Sequence, residues 1–273
     1  MKNKKTGYTL AEVLLTLGII GVLAAMVVPS VHGNAEKATI GPSLYKAVEQ
    51  IESGMRSIMQ AATDRAEQNQ GINDQTEIST VTTTLDTITY RDITGGNNTH
   101  IITSANMFGD FRGYVGADTL TADERAYLRE ARNFRNNANI SATYPFIANN
   151  TAYRFPGNKA VFVYEPAVDN SINNYAALHN NYLPEDVVIA RIMIDANGEK
   201  TPNQLGRDIF LFGLTNNGHL VPAGSNSYNR NVFNNGNGAD IPLYTAECRN
   251  NNITTGASCA ARVATDNWDV KYK

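Results

Sequence analysis

The sequence predicts an α+β protein in which a long N-terminal α-helix packs on an antiparallel β-sheet. Three observations support this prediction. The run from Tyr8 to Val31 is almost wholly apolar, and apolar residues then recur every three or four positions as far as Ala62. From Lys159 onward, β-branched and aromatic runs are separated by turn residues, which is typical of strands.

The composition favours an exported protein over a cytosolic enzyme. Of the 273 residues, 42% are apolar, which is enough for a sizeable core, and only 18% are charged. Neutral polar residues, above all Asn and Thr, fill the deficit in loop-forming clusters. The formal net charge is −3, and Lys and Arg are scattered along the chain, so no nucleic-acid partner is evident.

The apolar N-terminal run is long enough to cross a bilayer, because a helix from Tyr8 to Val31 spans roughly 36 Å at ~1.5 Å per residue. Lys2, Lys4 and Lys5 precede it, and their charge places the N-terminus in the cytoplasm and the rest of the chain outside. A removed signal peptide and a permanent anchor are two interpretations. Neither explains Glu12, a carboxylate whose insertion costs about 2.5–3.5 kcal/mol.

The residues at the start of the run follow a recognisable order. A short basic leader ends in glycine, and then come an aromatic residue, Thr, Leu, any residue and Glu, followed by an apolar helix that ends at a proline. The positions are Gly7, Tyr8, Thr9, Leu10, Ala11, Glu12 and Pro29. In this order the segment resembles type IV prepilins and type II secretion pseudopilins, although Phe is commoner than Tyr after the glycine.

This resemblance implies processing and assembly. A prepilin peptidase would cut between Gly7 and Tyr8 on the cytoplasmic side, and the new Tyr8 amine would be N-methylated. In a helical filament, Glu12 of one subunit would pair with the Tyr8 amine of the next, because opposite charges attract strongly at low dielectric. Within one chain the amine and Glu12 lie one turn apart, so internal pairing is an alternative.

Three residues of the apolar run weaken a helix: Gly18, Gly21 and Pro29. An interior glycine costs about 1 kcal/mol and a proline about 3 kcal/mol. The resemblance implies that the stretch from Gly21 to Pro29 bends or unwinds when subunits pack into a fibre. Close packing of helices in a membrane is the alternative interpretation of the two glycines.

The resemblance also implies a pilin-like fold, whose helix has a membrane-spanning half and an amphipathic half. We expect a leader at 1–7, a hydrophobic transmembrane and assembly helix at 8–31, an amphipathic continuation at 32–62 and a globular α+β head at 63–273. One face of the continuation would pack on the head. That face is formed by Ile40, Leu44, Val48, Ile51, Met55, Ile58 and Ala62.

The head contains strand patterns and one helix pattern. Strands are expected at 160–164, 187–194 and 209–214, with turns at Asn197-Gly198 and Asn217-Gly218 after two of them. Residues 63–157 are polar and irregular. The capping signature Thr121-x-x-Glu124 predicts a helix over 121–137.

The two cysteines, Cys248 and Cys259, lie close together and have no His or Cys neighbours that could complete a zinc site. A local disulfide is favoured if the compartment is oxidising, and closing its loop would contribute about 3 kcal/mol. Two buried reduced thiols are the alternative.

Four oxygen-bearing side chains in one head loop raise the question of calcium: Asp195, Asn197, Glu199 and Asp208. Residues 192–210, which include them, also resemble a recurring motif of pilin-like heads, and some pseudopilins bind calcium near their C-terminal loops. The early glycine, Gly198, departs from the EF-hand order. A hairpin turn without metal is therefore favoured, with calcium as the alternative.

The sequence predicts a structural protein and no enzyme, since it contains no catalytic motif and its four histidines are scattered. We expect a pilin or pseudopilin, leaning toward a minor subunit. Its partners would be the prepilin peptidase and other subunits, and its head would be exported from the inner membrane to the periplasm and then to a periplasmic or extracellular filament. The alternative is a signal-anchored envelope protein whose ligand-binding or enzymatic head does not polymerise.

Overall fold

A computed structural model of the chain describes residues 9–69, 88–89, 101–102, 115–166, 188–215, 218–225, 245–248, 253–270 and 272. The chain divides into two compact units, Met1–Thr39 and Ile40–Lys273. Helix α1 spans Leu10–Asn69, and the division falls within it. Among the described residues, no helix is both long enough and apolar enough to span a membrane.

The second unit is built on an antiparallel sheet. Its six described strands are β3 (Asp118–Thr119), β4 (Ala152–Arg154), β5 (Val161–Pro166), β6 (Val188–Asp195), β7 (Ile209–Thr215) and β8 (Leu220–Pro222). They follow one another in chain order across the sheet, and each neighbouring pair is antiparallel. Two further short strands, β1 (Ile88–Thr89) and β2 (Ile101–Ile102), pair only with each other.

Shorter helical elements complete the description. Two 3₁₀ segments span Ala126–Glu130 and Ile140–Ala142, α2 spans Phe146–Asn149 and α3 spans Cys259–Thr265. The three strands expected from the sequence coincide with β5, β6 and β7 to within two residues. The predicted α+β class, with an antiparallel sheet, is therefore confirmed.

The part of α1 that belongs to the second unit buries one face, as its spacing predicts. Ile40, Leu44, Val48, Ile51 and Met55 are all buried in a core cluster that also contains the sheet residues Phe162, Phe210 and Phe212. Burying each such aliphatic side chain contributes about 1.5–3 kcal/mol. The side chains of the other two predicted positions, Ile58 and Ala62, lie outside the described residues.

The central strands bury both of their faces. Phe162, Ile192 and Phe210 face the cluster that contains α1, whereas Val163 and Met193 belong to a second cluster. Side chains from the segment before β4 complete this second cluster, namely Leu128, Ile140, Tyr144, Phe146 and Ile147. Because both faces are covered, β5–β7 read as nearly continuous apolar runs rather than as alternating ones.

The helix predicted over residues 121–137 is wrong. The capping box itself forms, since the Thr121 N–H and hydroxyl donate to Glu124 Oε2 at 2.8 and 2.9 Å. Only a 3₁₀ turn follows, and the chain then extends because its backbone groups pair elsewhere. Arg132 N–H donates to Asn203 O at 3.0 Å, and Phe134 N–H donates to Thr255 O at 3.0 Å. Pairing with distant segments overrides the local helix signal.

Candidate functional site

Asp195 and Asp208 flank the loop between β6 and β7, and both are fully buried. Asp208 is satisfied by N–H donors. Its Oδ2 accepts from Asn203 N at 2.8 Å and from Asn197 Nδ2 at 3.2 Å, and its Oδ1 accepts from Gln204 N at 2.7 Å. The Asp208 carboxylate, at the C-terminal end of the loop, therefore holds the loop residues Asn197, Asn203 and Gln204 in place.

The other carboxyl, Asp195, is only half satisfied. Its Oδ1 accepts the N–H groups of Asn197 and Gly198 at 3.1 and 3.0 Å, as in an Asx turn. Its Oδ2 is buried without a hydrogen-bond partner among the described residues, and the Tyr127 hydroxyl lies beside the carboxyl without a bond of normal geometry. An unpaired buried oxygen is easier to accommodate on a protonated acid than on an anion.

The two carboxyls influence each other's protonation. The hydrogen bonds to Asp208 favour its anion and lower its pKa, but burial outweighs them and raises the pKa to about 6. Burial, and then the charge of Asp208, raise the pKa of Asp195 well above its usual range. The pair therefore titrates as one unit, and a proton is retained in the loop at mildly acidic pH.

The four predicted calcium ligands do not all act together. Hydrogen bonds join Asp195, Asn197 and Asp208, whereas Glu199 is exposed and pairs with Arg154 at 3.6 Å. Among the described residues, no group of three or more His, Cys, Asp or Glu could hold a metal ion. This geometry suits the metal-free hairpin loop that the sequence favours, and calcium stays the untested alternative.

The predicted disulfide between Cys248 and Cys259 is present, with the two Cα atoms 5.3 Å apart. Both cysteines are buried, and Cys259 begins helix α3. The disulfide therefore fixes the start of α3 in the core cluster to which both cysteines belong.

The N-terminus of α1 forms a capping box between Thr9 and Glu12. The Thr9 N–H and hydroxyl each donate to Glu12 Oε2 at 2.9 Å, and the Glu12 N–H donates to Thr9 Oγ1 at 3.3 Å. A carboxylate in the first turn also interacts favourably with the helix dipole. The Thr-x-x-Glu signature was recognised at Thr121 but missed here, although the same spacing marks both.

Most of the predicted assembly segment presents unpartnered apolar surface. Every described side chain from 9 to 25 is exposed, and the largest apolar ones are 44–78% exposed. Gly18 and Gly21 have no neighbouring atom within 4 Å of an added Cβ, and Pro29 lies inside α1. A helix that is apolar on all sides is normally covered by protein or lipid.

Residues 2–28 match the family model described as the prokaryotic N-terminal methylation motif. The N-terminal segment carries a prepilin-type motif. The matched range includes Gly7, Tyr8, Glu12, Gly18 and Gly21, and it ends one residue before Pro29. Gly7 and Tyr8 themselves lie outside the described residues. Their assignment as a cleavage site and a methylated residue stays a prediction.

Curated relatives are similar to the N-terminal region of the chain. The type II secretion system core protein G of Escherichia coli (strain K12) is 53% identical over 36 residues, which are 13% of this chain and 25% of that protein. The protein of the same name from Vibrio cholerae is 54% identical over 36 residues, with the same shares, and that from Aeromonas hydrophila is 49% identical over 37 residues, 14% and 26%.

The match therefore spans about a quarter of the length of these relatives. No solved structure matches the chain.

Proposed function

We propose that the chain is a pilin or pseudopilin, a structural subunit of a type IV pilus or a type II secretion pseudopilus. The observation that carries the proposal is the methylation motif over residues 2–28. Its described side chains from 9 to 25 are all exposed, and one acid, Glu12, lies among them. The similarity to core protein G of type II secretion systems supports the same class of subunit.

Before assembly, the apolar run from Tyr8 to Val31 lies in the inner membrane and the head lies on the outer side. The basic leader supports this orientation, because Lys2, Lys4 and Lys5 stay on the cytoplasmic side. The prepilin peptidase removes residues 1–7, and the Tyr8 amine is then N-methylated. The new terminus is then a cation at the tip of an apolar helix, four residues before Glu12.

During assembly, Glu12 of one subunit meets the Tyr8 amine of its neighbour and sets the axial register of the helical filament. The capping box supports this role, because it holds the carboxylate in a fixed position at the helix tip. Only Oε2 takes part in the box, and among the described residues Oε1 has no hydrogen-bond partner. That oxygen is the one that can receive the amine of another subunit.

Mass spectrometry of the mature N-terminus tests the proposal. We expect the wild-type chain from its native membrane to lack residues 1–7 and to begin with N-methylated Tyr8. A Gly7→Leu variant should keep Met1, whereas Gly18→Ala, in the same segment but beyond the cleavage site, should be processed normally. A wild-type chain that keeps Met1 and never co-purifies with filaments would overturn the proposal and favour an anchored envelope protein.

A further inference from the structure

The carboxylate of Glu247 is the centre of a buried hydrogen-bond cluster next to the disulfide. Its Oε1 accepts three backbone N–H groups, from Thr254 at 3.2 Å, Thr255 at 2.6 Å and Gly256 at 3.0 Å. The hydroxyls of Thr254 and Thr255 donate to the same oxygen at 3.0 and 2.8 Å. Its Oε2 accepts from Ser258 Oγ at 2.8 Å.

This cluster selects an ionised carboxylate. Burial alone would raise the pKa of Glu247, but the donors from Gly256, Thr255 and Ser258 outweigh burial and lower the pKa. Successive backbone N–H groups that converge on one anion form a nest, and here the anion is supplied by the chain itself.

The segment that Glu247 holds is also paired on its other side. Thr254 O and Thr255 O accept the N–H groups of Arg135 and Phe134 at 3.1 and 3.0 Å. Gly256 fits tightly as well, since its φ is +84° and an added Cβ would lie 2.1 Å from Leu205 O. Glu247 therefore fixes residues 254–256 in the one position where they can pair with 134–135.

The carboxylate and the disulfide connect the same two parts of the chain. Glu247 immediately precedes Cys248, and its hydrogen-bond partner Ser258 immediately precedes Cys259. Ser258 Oγ also lies 3.3 Å from Cys248 Sγ. Arg262 of α3 donates to the Cys248 carbonyl at 3.2 Å, which holds Cys248 near the helix that Cys259 begins. These hydrogen bonds need no sulfur–sulfur bond.

We propose that Glu247 is a positioning residue for the disulfide. In the dithiol chain its carboxylate binds residues 254–258 and so holds Cys248 beside Cys259 before oxidation. The oxidation itself needs a disulfide oxidant. One cysteine thiolate attacks glutathione disulfide and releases one glutathione, and the second thiolate then displaces the other glutathione to form the bond. Two thiols lose two electrons and two protons, and one glutathione disulfide becomes two glutathiones. Glu247 acts on the second, intramolecular step.

The test is the reoxidation of the full-length chain in detergent. The chain is reduced, freed of reductant and mixed with glutathione disulfide, and acid-quenched samples are analysed by mass spectrometry for the mixed disulfide and the closed disulfide. The closing step is intramolecular, so its rate does not depend on the concentration of glutathione disulfide. We expect Glu247→Gln to slow this step at least tenfold, and Glu130→Gln, an exposed acid in the 3₁₀ turn, to leave it within twofold of wild type.

A second measurement separates positioning from general folding. Amide hydrogen exchange at residues 254–256 should stay slow in the reduced wild-type chain and should become at least tenfold faster in Glu247→Gln with its disulfide intact. Acetate added to Glu247→Ala should restore part of the closing rate by occupying the empty nest. Closing at the wild-type rate in Glu247→Gln, or unprotected 254–256 amides in the reduced wild-type chain, would overturn the proposal. Because the exchange of the 254–256 amides is measured in the reduced wild-type chain, this readout tests the proposal even if Glu247→Gln does not fold.

Discussion

Gly41 of helix α1 lies directly against the backbone carbonyl of Trp268. A Cβ added at position 41 would lie 1.8 Å from the Trp268 oxygen and 2.9 Å from its carbonyl carbon. Trp268 has a φ of 60°, and its ring lies 5.5 Å from that of Tyr45 and 6.5 Å from that of Phe212. The contact therefore joins α1 to the C-terminal segment at a point where there is no room for a side chain at position 41.

We accordingly predict that Gly41→Ala destabilises the second unit. Alanine is the better helix former by about 1 kcal/mol, but a clash with backbone atoms costs more than this gain, and we expect a net loss of about 1–3 kcal/mol. Urea unfolding followed by the fluorescence of Trp268, the single tryptophan, measures it. Ser53→Ala, at an exposed position of the same helix, is the control. Equal unfolding midpoints for the two variants would contradict the contact.

The buried pair in the β6–β7 loop predicts a pH-dependent stability. Because the pKa of Asp208 is raised to about 6, the folded chain binds more protons than the unfolded chain above about pH 4. The contribution of Asp208 to the free energy of unfolding therefore falls as the pH rises from about 4 through 6, by at most about 3 kcal/mol. The raised pKa of Asp195 extends the fall to higher pH. Urea unfolding of the wild-type chain between pH 4 and 8 measures this slope.

Asp195→Asn should flatten that pH dependence. The substitution keeps Oδ1 as acceptor for Asn197 and Gly198 and replaces the unpartnered Oδ2 by a neutral amide. We expect higher stability than wild type at pH 7.5 and little difference at pH 4, because the acid is already neutral there. Asp123→Asn, at an exposed position in another loop, should leave the slope unchanged. Parallel pH profiles for wild type and Asp195→Asn would show that this carboxyl does not titrate with folding.

The parts of the fold and of the candidate site that the sequence predicts are those in which residues interact with near neighbours in the chain. Strands β5–β7 and the buried face of α1 were predicted because their apolar periodicity is local. Residues 121–137 were not, because Arg132 and Phe134 pair with segments about 70 and 120 positions further along the chain. For the same reason the disulfide was found from spacing, whereas the role of Glu247 beside it was missed. A single glutamate in a polar stretch carries no pattern.

Calcium binding to the head is tested by titration. Both oxygens of Asp208 accept N–H donors, and Glu199 pairs with Arg154. We therefore expect isothermal titration calorimetry to detect no saturable binding when CaCl₂ is added to the full-length chain in detergent. Saturable binding that Asp195→Ala abolishes and Asp123→Ala does not would contradict this expectation. It would point to the unpartnered buried oxygens of Asp195, Asn197 and Gln204 as ligands.

The capping box at Thr9 and Glu12 allows two roles of the acid to be separated. Glutamine can replace glutamate in a capping box, so Glu12→Gln keeps the helix start and removes only the charge, whereas Glu12→Val removes both. If the charge meets the amine of a neighbouring subunit, both variants should be processed and inserted normally and both should be absent from filaments.

The measurement is the amount of each variant in sheared filaments relative to the membrane fraction, when it is expressed beside the unaltered partner subunits. Thr16→Val is the matched control, because Thr16 is exposed and its hydroxyl donates to the Val13 carbonyl of the same helix. We expect at least a tenfold loss for Glu12→Gln and Glu12→Val and none for Thr16→Val. If Glu12→Gln enters filaments as wild type does while Glu12→Val does not, the acid serves the helix cap, and the register must come from another contact.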